Sequence, residues 1–500
     1  MRYYIGLDNG GTTTKAALFD MEGREICVHS VSTEAITPLP GFVERDMQRM
    51  WEANCEVIRE VLSTSGTDAR DIAAIAVCGH GKGLYLWGKD DKPVRNGIIS
   101  TDNRAVDIVA QWQRDSTEDE AFKISCQHIM ACQPVALLKW LKMNEPGVIE
   151  NICWVFECKD YVRFRLTGEA RAELTDYSGA NLINLYERNY DIKLLELFGI
   201  PEIMPALPPL CEACEICGHV TDEAARLTGL NPGTPVAGGM FDIDACALAA
   251  GVLDEDDICM IAGTWSINEY LRREPVVDGK VLMNSLFCMS EYYLIEESSP
   301  TSAANNEWFA KTLLPEVADE AKKRGGSVYG VMNEWIAGIP ADSPTPVFLP
   351  FLIGSNVNPA AMGAFIGLNA THTRGHMARA VYEGIAFSHR QHLEKLLSTR
   401  ESMPRCVRLA GGAAKSSVWA QMFADVMKLP VETVAANETG ALGCAMSAAV
   451  ACGDYASLYD AAKAMCRVTK RFEPDEAALK AYDGKYDRYQ RAIKALDAFW

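Results

Sequence analysis

Basic charge is in short supply in this chain. Lys and Arg number 48 against 67 Asp and Glu, a formal net charge of −19. A DNA- or RNA-binding surface needs a basic footprint, so nucleic acid is not an expected partner. Any phosphate-bearing ligand must be met by local donors rather than by a basic field. Uninterrupted apolar runs are also missing. The most apolar long stretch, 234–253, carries Asp242 and Asp244 near its middle, so no membrane helix is expected. The start, Met1-Arg2-Tyr3-Tyr4-Ile5-Gly6, has no apolar core of a signal peptide, and none is expected. No low-complexity or disordered segment stands out, and no Pro/Ser-rich linker divides the chain. The pattern G-x-x-x-x-G-K-[ST] is absent, which excludes a P-loop enzyme. The 17 cysteines form no small-domain disulfide framework, which points to a reducing compartment and a cytoplasmic location. Cys211, Cys214 and Cys217 resemble half a zinc site, with His219 close by. No fourth ligand has fitting spacing, so separate, mostly buried thiols are the better reading.

What is present is enough for two sizeable cores. The chain has 500 residues, 48% of them apolar, and chains this long usually split into two domains. Residues 3–7 read as a buried strand, followed by the polar turn Asp8-Asn9-Gly10-Gly11-Thr12-Thr13-Thr14 and a second strand from Lys15, a hairpin. Asp46 caps a predicted helix to about residue 62, with Met50, Trp51, Asn54, Val57, Ile58, Val61 and Leu62 on one face. A buried strand over 72–78 ends in Gly79-His80-Gly81-Lys82-Gly83. Near the middle the pattern restarts. Gly238-Gly239-Met240-Phe241-Asp242 leads into a helix to residue 250. A strand over 258–262 then runs into Gly263-Thr264-Trp265-Ser266 and a second strand over 267–271. The repetition suggests two related α/β halves, divided near 235–255. Later come a strand over 406–410, ending in Gly411-Gly412-Ala413-Ala414, and helices over 378–397 and 417–429.

Several of these residues are suited to phosphoryl chemistry. A Gly-rich turn bares backbone N–H groups that can converge on a phosphate chain, and threonine hydroxyls add donors. Asp8 could hold Mg2+, usually through water; the plainer alternative is a hairpin turn that Asp and Asn favour. Gly263-Thr264 gains weight by mirroring the first turn. Gly411-Gly412-Ala413 could let a nucleotide lie against bare backbone, or serve close helix–strand packing. Asp242 and Asp244 compete as general base for a sugar hydroxyl, against the alternative of a helix cap. Two residues turn about 200° around a helix axis, so only one can face a substrate. Asp102 and Arg104 could bind vicinal hydroxyls, against the alternative of an exposed loop pair. His80 and Lys82 follow a strand end, where α/β proteins usually bind ligands. Arg379 and Glu383, four apart, read as a structural helix pair.

Together these blocks resemble the FGGY carbohydrate kinases, of the actin/hexokinase/heat-shock-chaperone ATPase superfamily. Asp8 to Lys15 is similar to the family's first phosphate motif and Gly263-Thr264 to its second. Gly41-Phe42-Val43-Glu44-Arg45-Asp46, Lys159-Asp160-Tyr161 with Arg165-Leu166-Thr167-Gly168, and Asp176 with Ser178 resemble further blocks. So do Phe348-Leu349-Pro350-Phe351-Leu352-Ile353-Gly354, Arg379 to Phe387, and Leu442-Gly443-Cys444-Ala445. Gly411-Gly412-Ala413 with Trp419 to Asp425 looks like the adenosine motif. Gly81-Lys82-Gly83-Leu84, Gly239 to Asp242 and Ser299-Pro300-Thr301-Ser302 look most like the L-xylulose/3-keto-L-gulonate kinase branch.

The resemblance implies two actin-like (ribonuclease H-like) α/β domains flanking a central cleft. These are an N-terminal domain over 1–248 with the sugar site and first phosphate motif, and a nucleotide-binding domain over 249–500. It implies ATP-dependent phosphorylation of a small open-chain sugar, with Mg2+. The implied roles are Asp8 at the metal and Gly11, Thr12, Thr13, Lys15, Gly263 and Thr264 at the phosphates. Gly411, Gly412 and Ala413 would meet the nucleotide, and His80, Lys82, Asp102 and Arg104 the sugar. Asp242 is the implied base. Sequence before the acidic pair favours Asp242, whereas the distance to Gly251 favours Asp244; Asp242 is preferred. The alternatives are a kinase for D-xylulose, ribulose, glycerol or another polyol, and, more remotely, a nucleotide-switched sugar sensor or an actin-like filament protein. Sugar and ATP are the expected partners, with no membrane and with a homodimer left open.

Overall fold

The computed structural model describes residues 2–500. The chain folds into two compact units that exchange segments. The first comprises residues up to 251 together with 272–295 and 438–467. The second comprises 252–271, 296–437 and 468–500. The sequence reading divides the chain once, at 248/249, whereas the compact units are discontinuous.

In the first unit, β1 (Tyr3–Asn9), β2 (Thr13–Asp20) and β3 (Glu25–Ser32) form an antiparallel meander. β4 (Ile72–Gly79) lies parallel to β1 on its other side. β5 (Ile216–His219) and β6 (Pro235–Ala237) continue the sheet in the order β5-β6-β4-β1-β2-β3. The short β7 (Met240–Phe241) also pairs with β4, in parallel. β1 and β4 are apolar along nearly their whole length and are buried on both faces, as a covered parallel sheet requires. The helix Met47–Ser65 begins where expected, with the Asp46 carboxylate accepting from the Arg49 N–H at 3.0 Å, and runs three residues further than predicted. Gly66, in the left-handed region, ends it.

The helix Thr439–Ala451 explains why a late segment belongs to this unit. It has no polar face: Ala441, Leu442, Cys444, Ala445, Met446, Ala448 and Ala449 are all buried. A helix that is apolar all round must be covered on every side. It packs on β1, on β4 and on the helix Asp242–Ala249.

The second unit repeats the plan. β8 (Asp257–Ala262) and β9 (Ser266–Arg272) form a hairpin, and β10 (Cys406–Gly411) lies parallel to β8. β11 (Val431–Val434) and β12 (Val468–Phe472) follow in the order β9-β8-β10-β11-β12. The helices Arg374–Leu397, Ser417–Met427 and Glu476–Leu496 belong to the same unit. A hairpin plus a parallel neighbour thus occurs in both units, the repetition the two Gly-Thr turns suggested. Arg379 and Glu383 form the expected helix pair at 2.9 Å, joined by Lys485 and by the Thr345 hydroxyl, each 2.7 Å from the Glu383 carboxylate.

Candidate active site

Three strand ends meet in the first unit. In register, Asp8 of β1 stands beside Cys78 of β4, and Asn9 beside Gly79. On the other side of β4, Met240 and Phe241 stand beside the same two residues. The carboxyl ends of neighbouring parallel strands therefore present Asp8 and Asn9, then His80, then Asp242, along one edge. This is the edge at which open α/β sheets bind ligands.

The first turn is shaped from below. Its hydrogen bond runs from the Gly10 N–H to the Thr13 carbonyl at 3.0 Å. The buried Arg45 guanidinium donates to the Gly10 carbonyl at 3.2 Å and also to that of Gly11. Asn9 and Asn54 exchange side-chain hydrogen bonds at 3.1 and 2.8 Å, and the Thr14 hydroxyl adds one to Asn9. Gly11 and Thr13 are half-buried and Thr12 is exposed, so the tip is open while its base is fixed. Asp8 and Lys15 are cross-strand partners. Lys15 also reaches Glu438 at 2.7 Å, a carboxylate that the sequence reading missed. Burial and Glu438 raise Asp8 against the pull of Lys15. Burial alone would lower Lys15, but Asp8 and Glu438 overcome it and raise it. Asp8 is thus a half-buried oxygen donor where added positive charge is favourable. Among the described residues no cluster of three His, Cys, Asp or Glu could cage a metal. A Mg2+ ion that keeps most of its water and leans on one carboxylate fits this donor set.

The two acids of the helix Asp242–Ala249 have different surroundings. Neither caps it, since Phe241 occupies that position. Asp242 is half-buried at the strand end. Asp244, 0% exposed, accepts from the Cys288 N–H at 3.1 Å, and its other oxygen has no partner. Burial, with Glu173 nearby, lifts Asp244 well above the usual carboxylate range.

The loop after β4 is tightly held. The His80 N–H donates to the Asn9 carbonyl at 3.0 Å, the ring Nε2 lies 2.8 Å from the Tyr85 hydroxyl, and Nδ1 lies 3.4 Å from the Gly81 carbonyl. Burial, with Arg45 close by, pushes the ring down to about 3, so it is neutral. Lys82 adopts a left-handed backbone, φ 63°, and its ammonium sits 5.6 Å from the Phe241 ring centre. The Leu84 and Ile98 backbones bond to each other, which places the 98–104 segment beside this loop. There Asp102 and Arg104 differ from the exposed pair weighed as the alternative: both are buried. Asp102 accepts from the Val43 N–H, the Arg104 N–H and two guanidinium nitrogens of Arg104. Arg104 continues to Glu44 at 2.8 Å and lies over the Phe42 ring at 4.4 Å. Local sequence could not show this, because Glu44 and Phe42 come from another segment.

In the second unit the turn between β8 and β9 presents Gly263, half-buried, and Thr264, exposed. The Ala303 N–H fixes the Gly263 carbonyl at 2.8 Å. Gly411 ends β10 directly against this turn. Its backbone, φ 80° and ψ −161°, is open essentially only to glycine. A Cβ there would lie 2.7 Å from the Ala262 carbonyl oxygen and 3.0 Å from the Gly263 nitrogen. The Gly411-Gly412-Ala413 segment and the Gly263-Thr264 turn therefore form one continuous backbone surface. Gly412 is exposed on it and Ala413 is buried beneath.

Each unit thus presents a glycine-threonine turn at its strand ends, one beside a carboxylate and one against a glycine pair, as a protein that holds a phosphate chain on bare backbone would. The family comparison gives the same answer. The model of the FGGY family of carbohydrate kinases, N-terminal domain, matches residues 3–249, and that of the C-terminal domain matches 258–452. The chain belongs to the FGGY family of carbohydrate kinases. It is an enzyme that phosphorylates a sugar at the expense of ATP, which sets aside the sensor and filament alternatives. It is 38% identical to the L-xylulose/3-keto-L-gulonate kinase of Escherichia coli K12, over 100% of this chain and 98% of the relative. It is 37% identical to a probable L-xylulose kinase of Pasteurella multocida, over 100% of both. Among solved structures, xylulose kinase from Rhodospirillum rubrum superposes with TM-score 0.85 at 29% identity, covering 100% of this chain and 99% of that one. Xylulose kinase from Lactobacillus acidophilus, at 24% identity, shares the fold with TM-score 0.88 over 100% and 99% of the two chains.

Proposed function

We propose that the sugar is an open-chain one, L-xylulose or 3-keto-L-gulonate, and that Asp242 removes the proton from the attacking hydroxyl. The observation that carries the base assignment is the contrast within one helical turn. Asp242 is half-buried at the edge where three strands end, whereas Asp244 is sealed below. A carboxylate at that edge can take a hydroxyl proton as the phosphoryl group arrives, help worth on the order of 10²–10⁴ in rate. The sugar assignment is supported by the full-length relatives named above.

The geometry of each unit supports the remaining roles. Gly11, Thr12, Thr13 and Lys15 of the first turn, and Gly263 and Thr264 of the second, are assigned to the phosphates of ATP. Gly411, Gly412 and Ala413 are assigned to the adenosine end. Lys82 and His80 border the sugar. Asp102 acts with Arg104, whose guanidinium Asp102 and Glu44 hold in place. Asp8 would hold Mg2+ through water, and bound Mg2+ offsets the negative charge of the phosphates. Lys15, held between Asp8 and Glu438, supplies a fixed positive charge at the turn. A cytoplasmic location is supported by the cysteines, all 17 of them unpaired. No helix among the described residues is long and apolar enough to cross a membrane.

The test is a panel of L-xylulose, 3-keto-L-gulonate, D-xylulose, ribulose and glycerol in a coupled ADP-release assay. The expected result is highest kcat/KM on L-xylulose or 3-keto-L-gulonate. Preference for D-xylulose or glycerol would overturn the sugar assignment while leaving the kinase class intact.

A further inference from the structure

A buried ionic cluster lies beneath the sugar-side strand ends, and the chemistry above does not use it. Lys159 sits 3.0 Å from Asp160, 3.3 Å from Glu173 and 3.5 Å from Asp176, and Arg163 sits 2.6 Å from Asp160. Every side chain here is shut off from solvent. Such a cluster is costly to bury, and replacing it with apolar residues is often neutral or stabilising. Stability alone therefore does not account for it.

Two hydrogen bonds lead from the cluster to the working segments. The Glu157 carboxylate accepts from the Lys82 N–H at 2.9 Å. Lys82 is where the loop takes its left-handed turn, a conformation that a non-glycine residue holds only when its surroundings impose it. On the other side, the Thr175 hydroxyl accepts from the Phe241 N–H at 2.9 Å. Thr175 is itself held by Glu173, through its hydroxyl at 2.7 Å and its N–H at 3.0 Å. Phe241 immediately precedes Asp242. Gly81 closes the arrangement, since a Cβ there would lie 2.4 Å from the Phe241 ring and 2.7 Å from Asp176.

We infer that Glu157 and Thr175 are positioning residues, which tie the sugar-side turn at Lys82 and the strand end that carries Asp242 to one rigid internal anchor. The inference rests on the assignment of Asp242 and Lys82 made above. Charge supports it: the ion pairs of Asp160, Glu173 and Asp176 run to Lys159 and Arg163, two cations among four carboxyls with Glu157. Asp160 and Glu173 take the short contacts with those cations. One Glu157 oxygen and both Asp176 oxygens make no close hydrogen bond, and Lys159 reaches Asp176 only at 3.5 Å, so a proton shared by the two carboxyls would offset their charge. Burial pushes Asp176 up to about 6 and Glu157 well above the carboxylate range, with each carboxyl influencing the other. Glu157 thereby stays in place as an acceptor for Lys82 without an unpaired buried charge.

The experiment compares Thr175→Val with Thr175→Ser, and Glu157→Ala with Glu157→Gln, in the full-length protein. Steady-state kinetics on L-xylulose and hydrogen exchange of the 80–84 and 239–243 segments are both read. Thr175→Val is expected to lower kcat by about 10- to 100-fold with the KM for ATP unchanged, since only placement of the base is disturbed. Exchange at 239–243 accelerates, and Ser restores both. Glu157→Ala raises the KM for sugar and speeds exchange at 80–84, and Gln, whose amide oxygen still accepts from Lys82, restores both. Unchanged exchange in Val and Ala, or losses that follow a fall in Tm and that Ser and Gln do not rescue, would overturn the inference. If the unmodified enzyme phosphorylates no sugar in the panel, the sugar assignment fails, and the exchange data alone decide this point.

Discussion

Replacing Asp242 by Asn keeps the shape of the side chain and removes its negative charge and with it the ability to take a proton. The loss of a general base is worth on the order of 10²–10⁴ in kcat. A thousandfold loss corresponds to about 4 kcal/mol of transition-state stabilisation. ATP affinity, read by titration calorimetry, should stay unchanged. The matched control is Asp244→Asn. Asp244 is sealed from solvent with one oxygen unpartnered, so its neutral acid form is favoured, and Asn resembles that form. Its kcat should stay within about threefold of the parent. Its stability should change with pH in a defined direction. A carboxyl raised in the folded state contributes stability that is present below its unfolded pKa, near 4, and lost as pH rises through the folded value. Asn cannot titrate, so Asp244→Asn gains on the parent as pH rises from 4 to 8 in urea unfolding. An inactive Asp244→Asn beside an active Asp242→Asn would refute the reasoning.

Arg45→Met should keep much of the apolar volume but release the Gly10 and Gly11 carbonyls; a rise of about tenfold in the KM for ATP, with sugar KM unchanged, is expected from steady-state kinetics. Gly411→Ala should abolish detectable ADP binding by calorimetry and cost about 1–3 kcal/mol of stability, because its Cβ meets the Ala262 carbonyl in a backbone conformation alanine avoids. His80, pushed down to about 3 by burial, is a base whose folded value is depressed. Its contribution is present above about 6.5 and lost as pH falls toward the folded value, so His80→Gln should flatten that part of the acid-unfolding curve.

Much of the fold was legible because its signals are local. Apolar strands ending in glycine turns at 8–14 and 263–264, the Asp46 cap and the helical period after it all involve residues close in sequence. So does the opposition of Asp242 and Asp244, which follows from helical geometry and matches their burial. What was not legible depends on distant partners. Glu438 finds Lys15 across 423 residues, and nothing near either residue announces it. Arg45 lies within the Gly41–Asp46 motif, but its bonds to the turn carbonyls are a tertiary fact. Asp102 and Arg104 were expected at the sugar, with an exposed loop pair as the alternative, but that Glu44 and Phe42 stand against Arg104 depends on a distant segment. The discontinuous units were hidden for the same reason: the helix Thr439–Ala451 has no polar face to show which side meets which sheet.

That helix has a bearing on how the protein is made. During synthesis the strands from Tyr3 to Phe241 emerge hundreds of residues before the segment that covers β1 and β4. Until then their oily surface stands open to the cell, and closure must wait for contacts between opposite ends of the polypeptide, the kind that form slowly and invite clumping. A nascent chain stalled before residue 438 would therefore be a natural client for chaperones.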